Sequence, residues 1–250
     1  VRDHLPADVA LQDLGEQRLR DLARPERVFQ LRAPGLVEVF PPLRAGRTVP
    51  TNLSVPANAL IGRDDDLAAL ADSVAAQRLV TLAGPGGIGK TRLAIEVAAT
   101  VGSTYPDGMW FVDLAPVVED DDVVGAVASA MGAAGVTGTV ASLLGYLEQR
   151  RLLLVLDNCE HVIDGAAELA ERLLGGAPEV HVIATSRELL DVAGEVVHWV
   201  PPLAVPEDLT GAVGAPAVEL FVERARAVRP DFVLSADNSH DVVEICRRLD

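Results

Sequence analysis

Gly84-Pro85-Gly86-Gly87-Ile88-Gly89-Lys90-Thr91, preceded by the run Arg78 to Ala83 and followed by a helical pattern, decides how the rest of the chain is read. Glycines let a backbone curl so that successive N–H groups converge on an anion. Lys90 adds a mobile point charge, and Thr91 a hydroxyl for Mg²⁺. Leu93, Ala94, Ile95, Val97, Ala98 and Val101 recur at helical spacing, so a helix starting near Thr91 aims its N-terminal dipole at the same anion. Strand, loop and helix in this order make a phosphate-binding loop. Its nucleotide contacts are expected from Gly84, Gly86, Gly87, Ile88, Gly89, Lys90, Thr91 and Arg92.

Gly84, Gly86 and Gly89 also satisfy G-x-G-x-x-G, the fingerprint of a dinucleotide site. On that alternative Asp113, closing the next apolar run Met109 to Val112, would hold the ribose of NAD. It leaves Lys90 and Thr91 without a task.

The 250 residues are 49% hydrophobic and 23% charged, the balance of a soluble globular chain. A formal charge of −16 argues against this stretch gripping nucleic acid itself, because phosphate neutralisation needs clustered Lys and Arg. Cys159 and Cys246 have no paired spacing, so neither a disulfide framework nor a zinc site is expected, and a cytoplasmic location fits. Val1 to His4 lacks the basic start and apolar core of a signal peptide and has no initiator Met, which reads as a piece of something longer. Val123 to Leu147 carries no charge, but Gly125, Gly132, Gly135, Gly138 and Gly145 interrupt it. Two short helices with a glycine-rich joint are expected there rather than a membrane span.

The runs Met109 to Leu114, Leu152 to Leu156, Val180 to Thr185 and Val196 to Val200 alternate with helical patterns. With Arg78 to Ala83 they predict a mostly parallel five-stranded α/β sheet, helices on both faces, and a ligand at the carboxyl ends of the strands. Residues 33–57 are rich in proline and read as a linker. Before it, Val9 to Leu14 and Arg27 to Leu31 read as short strands around a helical or turn segment, Glu16 to Ala23. After the sheet, Pro201-Pro202-Leu203 ends the last strand. Helical stripes follow over Ala215 to Val228 and from Ser239, and the second still needs a partner at Asp250.

Leu152 to Leu156 is a fully buried strand pattern that ends in Asp157, placing a carboxylate beside Thr91 and the Mg²⁺ shell. Asn158 follows where a second acid would activate water, and an amide cannot usefully accept a proton. Slow hydrolysis is therefore expected, with Glu160 as the substitute base and His161 a weaker one. Arg187, ending the strand Val180 to Thr185, is the expected γ-phosphate sensor, against a simple surface pair with Glu188. Arg63, in Ile61-Gly62-Arg63-Asp64 before the helical pattern Leu67 to Val74, is expected to close over the base.

Leu60-Ile61-Gly62-Arg63, GPGGIGKT, LLLVLDNCEH at 152–161, IATSRE at 183–188 and Val200-Pro201-Pro202-Leu203 together resemble the STAND class of signalling NTPases. They are most similar to the ATPase module of large bacterial LuxR-type transcriptional regulators. The resemblance implies a P-loop NTPase three-layer sandwich over 58–205 and the start of a truncated helical subdomain over 206–250. It also implies an ADP-held resting state, exchange for ATP with self-association, and DNA contact through a downstream domain absent here. A Gly-Leu-Pro-Leu stretch touching the nucleotide would come next after Asp250. Residues 1–32, from Asp13-Leu14-Gly15 to Phe29-Gln30-Leu31, resemble the C-terminal edge of a class III adenylate or guanylate cyclase domain. Its catalytic carboxylates would lie upstream, so no cyclase activity is expected.

Three other readings stay open on the sequence: a metabolic ATPase or kinase with real turnover, an NAD enzyme, and a scaffold whose site is vestigial.

Overall fold

The computed structural model describes residues 10–17, 26–33, 49–54, 58–206 and 211–249. The chain divides into two units, Val1–Pro50 and Thr51–Asp250. In the first, β1 (Ala10–Gln17) pairs antiparallel with β2 (Glu26–Arg32), with an irregularity between Asp13 and Glu16. Arg27 meets Asp13 at 2.7 Å across the pair. Glu16 thus belongs to a strand and not to the helical or turn segment expected from it, and Val9 and residues 18–25 lie outside the described residues.

The second unit opens with α1 (Asp64–Ala76), β3 (Leu79–Ala83), α2 (Lys90–Val101) and β4 (Met109–Asp113). It continues through α3 (Val123–Ala130), α4 (Val140–Leu147), β5 (Leu152–Asp157) and α5 (Ile163–Gly176). Last come β6 (Val180–Ser186), β7 (Glu195–Trp199), α6 (Pro216–Val228) and α7 (Ser239–Leu249). The five strands stand in the order β4-β5-β6-β3-β7, and every neighbouring pair is parallel. The expected five-stranded α/β sheet is therefore present.

β5 is buried along its whole length because helices cover both faces. Helices α1 and α2 pack on one side of the sheet, and α3, α4 and α5 on the other. Leu152, Leu154 and Leu156 alternate onto the second face and join Val123, Val127, Leu143, Leu147, Leu169 and Leu173 in the main core. Val123 to Leu147 forms two short helices as expected, and no described helix is long and apolar enough to cross a membrane. A smaller core, including Val218, Val242, Val243 and Cys246, joins α6 to α7.

Backbone endings are satisfied by side chains that periodicity does not reveal. The Arg78 guanidinium donates to the carbonyls of Leu173, Leu174, Ala177 and Val180, closing the C-terminal end of α5 against the start of β6. Within the expected linker, Thr51 bridges to Met109, and Asn52 Nδ2 and Oδ1 bond the Phe111 carbonyl and N–H at 2.8 and 2.7 Å. This segment covers the outer edge of β4. Residues 34–48 and 55–57 of the linker lie outside the described residues.

Candidate nucleotide site

Parallel pairing brings the carboxyl ends of β3, β5 and β6 to one rim, and β6 lies between the other two. From β3 the chain enters the glycine loop. Gly87 and Gly89 have φ of 81° and 100°, a backbone that side chains rarely adopt, and a Cβ on either would face open space. Gly89 caps α2, whose first turn begins at Lys90. Lys90 Nζ donates to the carbonyls of Gly84 and Pro85 at 2.8 and 3.0 Å, folding the ammonium back across the loop. Burial lowers its pKa, Arg187 adds to that, and the nearby Glu160 and Asp157 oppose it.

Asp157, 3% exposed, is the hub. Its Oδ1 accepts from Thr91 Oγ1 at 2.7 Å and from Thr185 Oγ1 at 2.5 Å. Burial raises its pKa, and these two donors partly reverse the effect by stabilising the charged form. Asn158, in the left-handed region at φ 61°, turns Nδ2 between Asp157 Oδ2 and Asp113 Oδ1, both at 3.0 Å. β4 and β5 place those two carboxylates in register. An amide at 158 joins them where a third carboxylate would repel both.

Glu160 lies in the single turn Cys159–His161 after β5. Its Oε1 is 3.0 Å from Arg187 Nε, while its Oε2 is buried without a hydrogen-bond partner among the described residues. The Arg187 guanidinium also lies against Gly86, where an added Cβ would come within 2.9 Å of Nη2. The alternative of a simple surface pair between Arg187 and Glu188 is not what forms: Arg187 pairs with Glu160. His161 is exposed, and burial pushes the Cys159 thiol well up, so it carries no thiolate.

Arg63 is buried beneath the loop, bonded to Asp66 at 2.9 Å and to the Ile88 carbonyl at 3.4 Å. The Arg92 side chain pairs with Glu96 at 2.8 Å and donates to the Asn58 carbonyl, leaving the backbone N–H in the first turn of α2 as its group nearest the loop. Asn58 Nδ2 donates in turn to Glu223 of α6 at 2.6 Å. Above the loop, Pro85, Gly86, Gly87 and Ile88 form one wall of a cavity of about 520 Å³. Leu203, Leu220, Phe221 and Leu249 are on its other walls, a volume suited to a small ligand. Sequence reading saw the α6 stripe but did not assign it to a site, and it missed Thr185 as a donor to Asp157.

Asp113 is not brought to the loop. Two strands separate β4 from β3, and Asp113 is engaged by Asn158 and the Ala115 N–H. A dinucleotide site needs its acid on the strand beside the loop. The loop, the inserted β6 and the Thr91 to Asp157 bond make this a P-loop NTPase-like α/β fold. Its residues fit a Mg-nucleotide: a hydroxyl and a carboxylate in contact, a lysine folded over the loop, and a buried carboxylate oxygen of Glu160 without a hydrogen-bond partner among the described residues.

No family model matches the chain. Over 179 residues it is 46% identical to a putative HTH-type transcriptional regulator of Mycobacterium tuberculosis, covering 71% of this chain and 19% of that protein. Over 192 residues it is 41% identical to an uncharacterized Mycobacterium tuberculosis protein, covering 76% of this chain and 47% of that protein. The chain thus spans less than half the length of either relative. Among solved structures, it is similar to a Signal Transduction ATPase with Numerous Domains (STAND) protein with a tetratricopeptide repeat sensor from Pyrococcus horikoshii. That likeness has a TM-score of 0.46 and 15% identity, covering 80% of this chain and 29% of the other.

Proposed function

We propose that this chain is an ATP/ADP-binding switch module of a multidomain transcriptional regulator, reset by slow Mg²⁺-dependent hydrolysis of ATP. The observation that carries the reading is the Thr91 to Asp157 bond at 2.7 Å, at the start of the loop helix and the end of the central strand. Thr91 and Asp157 would hold Mg²⁺, which when bound would neutralise charge on the β- and γ-phosphates.

The protein's own groups divide the remaining work. Loop N–H groups and Lys90 bind the phosphates, and the ammonium leaves the Gly84 and Pro85 carbonyls to do so. Arg187 binds the γ-phosphate and exchanges its Glu160 partner for it. Glu160 Oε2 accepts the proton of the attacking water, a role Asn158 cannot fill. The apolar wall of Leu203, Leu220 and Phe221 takes the base.

The regulator assignment is supported by the 46% identity to a protein named as an HTH-type transcriptional regulator. DNA contact would belong to another domain of the full protein, since this stretch carries a net charge of −16. ATP would favour self-association of that protein, and residues 1–32 are read as the end of a nucleotidyl cyclase domain; both rest on sequence resemblance. The test is to denature freshly purified protein and identify the released nucleotide by chromatography beside a Lys90→Ala control. Near-stoichiometric ADP, absent from the control, is expected; equal recovery from both proteins would sink the reading.

A further inference from the structure

The cavity over the loop contains one charged side chain that the proposed mechanism does not use. Ala217, Leu220, Phe221 and Arg224 recur on one face of α6, and all four line the cavity opposite Pro85 to Ile88. The first three supply the apolar wall expected of such a stripe. Arg224 replaces the next apolar position with a guanidinium, while every other lining residue is uncharged.

Its neighbours on α6 are engaged elsewhere. Glu223 accepts from Asn58 at 2.6 Å, and Arg226 Nε donates to the Phe232 carbonyl at 3.2 Å. Arg224 has no hydrogen bond or ion pair among the described residues, in a chain where Asp and Glu outnumber Lys and Arg by 37 to 21. Arg224 is exposed at the cavity, so its guanidinium is open to an anion that enters between α6 and the glycine loop, which lines the same cavity.

We infer that Arg224 is a further cationic contact for the polyphosphate of the nucleotide, beside Lys90 and Arg187, delivered by α6. This deepens the nucleotide-switch reading and rests on it. The planar fork suits two phosphate oxygens, and it would act from the helical side, while Lys90 and Arg187 act from the sheet side. Since α6 packs with α7, the contact makes phosphate charge the quantity that fixes the helical pair over the loop.

The experiment titrates adenosine, ADP and ATP into the chain, Arg224→Gln, Arg224→Lys and Lys90→Ala, with ligand-free melting curves to establish that each variant is folded. Arg224→Gln is expected to weaken ADP and ATP by about tenfold to a hundredfold and to leave adenosine unchanged, with Arg224→Lys recovering much of the loss. Unchanged ADP and ATP affinity in Arg224→Gln overturns the inference, as does an equal loss for adenosine, which would make Arg224 a contact of the base or ribose. The underlying reading fails in a different way: the unmodified chain binds neither ADP nor ATP, or Lys90→Ala binds both as well as it does.

Discussion

Arg187 Nε lies 3.0 Å from Glu160 Oε1, and the other oxygen of Glu160 is buried without a hydrogen-bond partner among the described residues. In the function proposed above, Arg187 gives up this pair to the γ-phosphate and Glu160 accepts the proton of the attacking water. Glu160→Gln keeps the shape and removes the basicity. It is expected to retain ADP and ATP affinity while phosphate release falls by roughly a hundredfold or more. Release at the unmodified rate, followed by a coupled phosphate assay, would remove Glu160 from the chemistry.

Thr185→Val deletes one of two hydroxyl donors to Asp157 Oδ1. Asp157 already has a raised pKa because burial opposes its charge, and losing Thr185 raises it further. A carboxyl whose folded pKa exceeds its unfolded value holds more protons folded than unfolded, so stability falls as pH rises through that interval. The variant is therefore expected to lie closer to the unmodified protein below about pH 4 and to be weaker by about 1–3 kcal/mol at neutral pH. Urea titrations at both pH values measure the difference, and a deficit independent of pH would contradict it.

Tyr105 is buried, and burial pushes its phenol up to about 12, with Arg151 opposing. The folded state keeps the proton where the unfolded chain has lost it. This contribution is complete below pH 10 and disappears as pH climbs from about 10 to 12, amounting to about 3 kcal/mol. Tyr105→Phe should flatten that part of the alkaline stability profile. A Tyr105→Phe profile parallel to that of the unmodified chain would show that the phenol titrates normally.

Asn52→Ala removes both bonds to the Phe111 backbone on the sheet edge. Hydrogen exchange at the Phe111 amide should accelerate by about tenfold or more, with a stability loss of about 1–2 kcal/mol. Unchanged exchange would mean that the segment from Thr51 does not shield β4.

The sheet was legible because β3, β5 and β6 are short apolar runs separated by helical patterns, a signal set by burial on both faces. The loop was legible because its geometry depends on glycines at fixed offsets, followed by Lys90 and Thr91. Strand order was not legible. That β6 enters between β3 and β5 follows from long-range packing, and this insertion brings Thr185 onto Asp157 and Arg187 onto Glu160. Asn52 and Arg78 were invisible for the same reason: each bonds backbone groups at least 59 residues away, and no local pattern records such a partner. Arg92 looked like a loop residue by adjacency, but helical geometry turns it to Glu96.

Asn58 ties two parts of the molecule at once, its carbonyl to Arg92 and its amide to Glu223. Arg92 is the next residue after Thr91, so a single asparagine stands between the first turn of α2 and the middle of α6. A swing of α6 that empties the cavity must strip Glu223 of its donor, turn the Asn58 side chain, or drag the start of α2. Any such swing would therefore be felt at Arg92, one residue from Thr91.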